Sequence, residues 1–89
     1  MSPSSDVTEI AVVLPAALHA RPAGEVVRAA AAFASTIEVR LDGRSANARS
    51  ALRLMSLGAA AGSTVTVHAS GDDAPAAAEA VAGVLAAAK

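Results

Sequence analysis

Four stretches of the chain alternate apolar and polar residues and three others repeat their apolar residues at helical spacing, and the order of these two periods restricts the fold more than any other feature. Thr8 to Leu14 puts Thr8, Ile10, Val12 and Leu14 on one face and Glu9, Ala11 and Val13 on the other, as a half-buried strand does, and Pro15 ends it. Pro22 opens a segment in which Ala23, Val26, Val27, Ala30, Phe33 and Ala34 recur at helical spacing, leaving Glu25, Arg28 and Ser35 toward solvent. Alternation returns over Thr36 to Leu41, with Ile37, Val39 and Leu41 facing in. Asp42-Gly43 then predicts a tight hairpin, because a type I′ turn needs φ > 0 at both central positions, and Arg44 to Ala48 is the expected return strand.

Ser50 can cap a short helix running to Leu57, with Gly58 as its left-handed terminator. Thr64 to Ser70 reads as a fourth strand with Val65, Val67 and Ala69 inward, closed by Gly71-Asp72-Asp73. Asp72 or Asp73 is the expected cap of a last helix, Ala74 to Ala88, whose stripe is Ala77, Val81, Val84, Leu85 and Ala88. Pro75 falls in its first turn, where the missing N–H costs nothing. Helices need a sheet face to bury against, so the order β-α-β-β-α-β-α predicts an α+β fold, a two-layer sandwich with an antiparallel sheet.

At 89 residues the chain is expected to be a single domain, with Met1 to Asp6 loosely ordered ahead of it. Its hydrophobic fraction of 54% is largely alanine, so the core has to come from Val, Leu and Ile together with Phe33. Without cysteine it holds together by packing alone. No run approaches the roughly 18–20 apolar residues of a membrane span, and the N-terminus lacks the basic and apolar regions of a secretory signal; both point to a cytoplasmic protein that does not insert in membranes. A net charge of −1, one Phe and no Trp or Tyr offer nucleic acid neither an electrostatic footprint nor a stacking surface. The basic residues other than Lys89 are arginines between Arg21 and Arg53, and that local excess points to an anionic partner surface.

The segment Ala17-Leu18-His19-Ala20-Arg21-Pro22-Ala23 sets an imidazole and then an arginine at the start of a helix. The first turn of a helix has unpaired N–H groups and a partial positive charge, which suits an anion and disfavours an arginine. A phosphoryl group would remove that mismatch. Neutral imidazole has a nitrogen lone pair that can attack phosphorus, while the free amides and Arg21 hold the oxygens. A lone histidine or arginine here would ordinarily be a solvated surface residue; the pair makes an anion site that neither makes alone.

That stretch resembles the Gly-Leu-His-Ala-Arg-Pro-Ala signature of the HPr phosphocarrier family. Asn47-Ala48-Arg49-Ser50, followed by Met55-Ser56-Leu57-Gly58, resembles a second motif of the family, Asn-Ala-Lys-Ser with a Met-Ser-Leu-Gly ending. The resemblance implies a sheet of order 1-4-2-3 covered on one face by three helices. It also implies a monomeric, stoichiometric carrier rather than a turnover enzyme, with no metal or organic cofactor. His19 would take a phosphoryl group on Nδ1 from phosphorylated enzyme I and pass it to enzyme IIA domains of the sugar phosphotransferase system. Arg21 would steady the group beside Ala20, and Pro22 would fix the helix start. Ser50 matches a serine that a dedicated HPr kinase modifies in some bacteria, although a plain N-cap role satisfies it as well.

Leu52 and Met55 form an apolar stripe facing away from Ala51, Leu54 and Leu57, which the core does not explain. In the family that surface docks partners, so Leu52 and Met55, with Gly24, Arg28, Arg49 and Arg53, are the expected interface. Ala17 replaces the family glycine, which can serve a backbone angle alanine resists, so the loop presenting His19 can differ in detail while keeping the imidazole exposed. His68, on the polar face of the fourth strand, has no assigned role. The same residues fit a carrier in a nitrogen-related or dihydroxyacetone-kinase circuit, and less well a regulatory binding module controlled through Ser50. An RNA-binding module would need sheet-face aromatics that are absent.

Overall fold

The computed structural model describes residues 6–89. The expectation of a loosely ordered segment from Met1 to Asp6 lies outside the described residues except at Asp6, whose carbonyl accepts a 3.0 Å hydrogen bond from the Gly71 N–H. The elements are β1 (Val7–Val13), α1 (Ala20–Ala30), β2 (Thr36–Leu41), β3 (Arg44–Asn47), α2 (Ala51–Ser56), β4 (Thr64–Ser70) and α3 (Ala74–Ala86), in the expected order.

The strands form one antiparallel sheet of order β1-β4-β2-β3. Its register sets apolar residues side by side: Ile10 lies opposite Val67, Val67 opposite Val39, and Val39 opposite Ala46. Because side chains alternate across the sheet, these rows face the helices, and Glu9, His68, Glu38 and Asn47 form the row between them on the open face. Val12, Leu14, Ile37, Val39, Val65 and Val67 make the sheet side of the core. Ala23, Val26 and Ala30 of α1, Leu54 of α2, and Ala77, Val81 and Leu85 of α3 make the helix side. At the hairpin Asp42 has φ 51° and Gly43 φ 80°, as the type I′ turn requires, and Gly58 ends α2 at φ 68°.

Several local expectations are corrected, among them the end of the last helix, which lies at Ala86 rather than Ala88. The first helix begins at Ala20, two residues before Pro22, which sits in its first turn without cost. The helix ends at Ala30, so Phe33 and Ala34 belong to the following turn, Phe33 half-buried and Ala34 exposed. β3 stops at Asn47, because the Asn47 side-chain oxygen accepts a hydrogen bond from the Arg49 N–H at 2.8 Å and turns the chain into α2. Ser35 faces inward at 2% exposure, not toward solvent.

The reason for that last reversal is Asp73. It occupies the N-cap position of α3 but caps nothing there. Its carboxylate crosses to the turn between α1 and β2, where it accepts hydrogen bonds from the N–H groups of Ala34 (2.8 Å) and Ser35 (2.9 Å) and from the Ser35 hydroxyl. Gly71 lets the two segments meet: at φ 144°, a Cβ would lie 2.7 Å from Ser35 Oγ and 3.0 Å from Ser35 Cα. Replacing Gly71 by alanine is expected to cost about 1–3 kcal/mol in urea unfolding, as overpacking against backbone does.

The Ser35 hydroxyl, followed by the Ala34 N–H, holds the Asp73 carboxyl below the ordinary carboxylate range, against a smaller upward push from burial. A depressed folded pKa stabilises the fold above the unfolded-chain value of about 3.9 and loses that contribution as pH falls through the lower folded value. Asp73→Asn should therefore be less stable than the parent at neutral pH, and the gap should narrow below about pH 3.9 in unfolding curves taken across the acid range.

Candidate functional site

His19 is the N-cap of α1, with extended backbone (φ −91°, ψ −167°) and a side chain that makes no capping hydrogen bond. Its backbone is fixed from both directions. Leu18, buried beside it, donates its N–H to the Ala59 carbonyl at 3.0 Å; the His19 N–H is donated to the Ala17 carbonyl at 2.9 Å; and the His19 carbonyl accepts the first helical bond from Ala23 at 3.0 Å. The anchored loop leaves the imidazole exposed, as expected. Among the described residues Asp42 alone has positive φ without being glycine, so Ala17 occupies ordinary backbone and the loss of the family glycine introduces no strain.

Ala20 and Arg21 are the first two helical residues, and their N–H groups have no partner within the helix. Pro22 has no N–H to offer and its ring is buried. No acidic residue sits in the first turn, so nothing there offsets the positive end of the helix. The Arg21 side chain is 82% exposed, with Nε 3.9 Å from Glu25 Oε2 one turn along, and the two line a hollow of about 240 Å³ with Ala87 and Lys89. Neither Glu25 nor Lys89 was a candidate from sequence; the four-residue spacing of Arg21 and Glu25 was the available signal.

His19 opens onto a different, shallower depression, about 380 Å³, with Ala17, Leu18, Met55, Gly58, Ala59 and Ala60. Met55 (38% exposed) joins that depression to Leu52 (72% exposed), so an apolar surface adjoins the histidine. Arg28 and Arg53 are exposed. At Gly24 an added Cβ would meet only Arg28 Nη1, at 3.8 Å, so no contact within the chain requires glycine.

Arg49 is engaged elsewhere. Its guanidinium donates to the carbonyls of Ser35 (3.1 Å), Ala30 (3.0 Å) and Phe33, satisfying the C-terminal end of α1. Ser50 caps α2 by accepting the Arg53 N–H at 3.2 Å. His68 lies on the open face of the sheet, its Nε2 3.8 Å from Glu9 Oε2, apart from the residues around His19.

A protein-family profile described as the PTS HPr component phosphorylation site matches residues 7–87. The chain belongs to the HPr family. It is similar to the phosphocarrier protein HPr of Lysinibacillus sphaericus, at 42% identity over 86% of this chain and 88% of that protein. Among solved structures it resembles HPr from Bacillus anthracis, with a TM-score of 0.79 and 35% identity, covering 93% of this chain and 99% of the other. It is also similar to part of a multiphosphoryl transfer protein of Xanthomonas campestris, at 38% identity over 84% of this chain and 9% of that protein. The chain is thus an HPr phosphocarrier of the phosphotransferase system family, and its sheet order and element order are those of HPr structures. No helix among the described residues is long and apolar enough to cross a membrane.

The Arg49 contacts predict a stability effect. Arg49→Ala should cost about 1–2 kcal/mol in urea unfolding, since carbonyls at a helix end lose charge-assisted donors. Arg49→Lys should recover less than half of it, because an ammonium cannot span three carbonyls as a planar guanidinium does.

Proposed function

We propose that His19 accepts a phosphoryl group from phosphorylated enzyme I and passes it to enzyme IIA domains of a sugar phosphotransferase system. The observation that carries this reading is the exposed, uncapped imidazole at the head of α1, next to the unpartnered Ala20 and Arg21 amides and the Arg21 side chain. The lone pair of neutral His19 Nδ1 forms a bond to phosphorus as the donor's phosphorus–nitrogen bond breaks, the donor nitrogen keeping that electron pair. The two amides and the Arg21 guanidinium bind the phosphoryl oxygens, and the helix start favours the added negative charge. Transfer onward repeats the exchange with the acceptor as nucleophile. Fixing the backbone on both sides of His19 holds the nucleophile in place, so little ordering is left for the encounter.

Leu52 and Met55 are the apolar centre on which partners dock, with Gly24, Arg28 and Arg53 at its border. Arg49 contributes to this surface by holding α1 and α2 together. Phosphorylation of Ser50 by a kinase would replace the cap by a dianion beside the same surface and slow transfer. The carrier acts as a cytoplasmic monomer.

Incubation with phosphoenolpyruvate, enzyme I and Mg²⁺ is expected to add one acid-labile phosphate, and His19→Ala to abolish it; label that persists in His19→Ala would overturn the assignment. Leu52→Glu should raise the KM of enzyme I for the carrier about tenfold while leaving the fold intact, as loss of a central interface contact worth about 1.4 kcal/mol would. Steady-state kinetics and circular dichroism check both halves of that expectation.

A further inference from the structure

The two residues that bear the chemistry face different hollows. His19 shares its depression with Met55 and Gly58, whereas Arg21 shares its own with Glu25, Ala87 and Lys89, toward the end of α3. The guanidinium in this state is therefore paired with a carboxylate rather than arrayed around the imidazole. We infer that Glu25 is a positioning residue that parks Arg21 in the unphosphorylated carrier and so sets how readily the carrier holds its phosphoryl group. The inference rests on the reading of His19 as the carrier.

The physical case has three parts. A cation in the first turn of a helix opposes the macrodipole, and no acidic residue of that turn offsets it, so Glu25 is the nearest group of α1 that can. The pair is easily exchanged: it spans 3.9 Å, its side chains are 82% and 40% exposed, and an arginine N-terminal to its carboxylate is the weaker order for this spacing. A phosphoryl group on His19 would carry up to about two negative charges at the end of the helix, more than a carboxylate one turn along, and would draw Arg21 away from Glu25. Every phosphorylation then breaks the Arg21–Glu25 pair and every discharge restores it. Glu25 thereby raises the phosphorylated form relative to the free form and makes the carrier a readier donor.

The test is the fraction of phospho-His19, read by phosphorus NMR, at fixed phosphoenolpyruvate-to-pyruvate ratios with catalytic enzyme I. Glu25→Gln should shift that equilibrium toward the phosphorylated carrier by about twofold at low salt, the size of one exposed i,i+4 pair. The shift should fade at about 1 M salt, where screening acts within about 3 Å. In an Arg21→Ala background Glu25→Gln should change nothing, because its partner is gone. An unchanged equilibrium in Glu25→Gln would overturn the inference. So would a shift that persists in the Arg21→Ala background, since the carboxylate would then act on the phosphoryl group directly. Absence of phosphate from His19 in the parent protein would instead overturn the carrier reading itself, and this inference with it.

Discussion

Between Ala30 and Ser35 the chain leaves α1 and enters β2, and the polar groups of that turn are met from two sides. Asp73, at the start of α3, takes up the N–H groups of Ala34 and Ser35, and Arg49, just before α2, takes up the carbonyls of Ala30, Phe33 and Ser35. These groups are partly buried or exposed, so each contact is worth less than a fully buried bond, but together the charge-assisted bonds hold the turn against its neighbours. Because one charge comes from the segment before α2 and the other from the head of α3, the same turn also fixes the three helices relative to one another. α1 carries His19 at its far end and α2 carries Leu52 and Met55, so a clamp remote from the chemistry sets the spacing of the surface around it.

At the opposite end of α1 the arrangement is reversed: the backbone is pinned and the side chains are free. Leu18 is held to Ala59, and Leu14 exchanges hydrogen bonds with the segment around Ser63, donating to its carbonyl and accepting from Gly62. The loop from β1 therefore enters α1 along a course set by the segment that follows α2. A carrier that meets a donor and then an acceptor benefits from this combination. On the proposed function, a fixed backbone would keep the His19 imidazole in a repeatable position, and the exposed imidazole and guanidinium would adapt to each partner and to the charge state of the site.

Much of this was legible in the chain because it is local. Period-two alternation located Thr64–Ser70 to the residue, Asp42-Gly43 announced its turn, and Ser50 and Gly58 bracketed α2. Local physics also marked His19 and Arg21 as an anion site, and resemblance to a family supplied the chemistry. What periodicity could not carry were side chains serving backbone far away in sequence: Asp73 acts 38 and 39 residues back, and Arg49 acts 14 to 19 residues back. The helical repeat places Ser35 toward solvent for that reason, since its burial depends on Asp73 and not on its place in the repeat. Arg49 is expected from sequence at the partner interface, and nothing near it in sequence reveals the helix end that its guanidinium also satisfies.

The alanine-rich helices bear on how the site responds to charge. α3 packs through Ala74, Ala77, Ala78 and Ala82 together with Val81 and Leu85, and α1 through Ala23 and Ala30 together with Val26, all of them buried. Alanine gains no freedom by rearranging its side chain, so helices packed through it have few alternative arrangements to move between, and shifting one would open voids that neighbouring side chains cannot fill. The start of α1 is accordingly a fixed platform. On the proposed function, a phosphoryl group on His19 would meet a helix that does not close around it, and the response would fall to exposed side chains at that end, foremost Arg21, whose side chain is 82% exposed. Close packing through small residues in the core and a single exposed arginine at the helix head are thus two sides of one design, in which charge is accommodated by moving a side chain rather than the backbone.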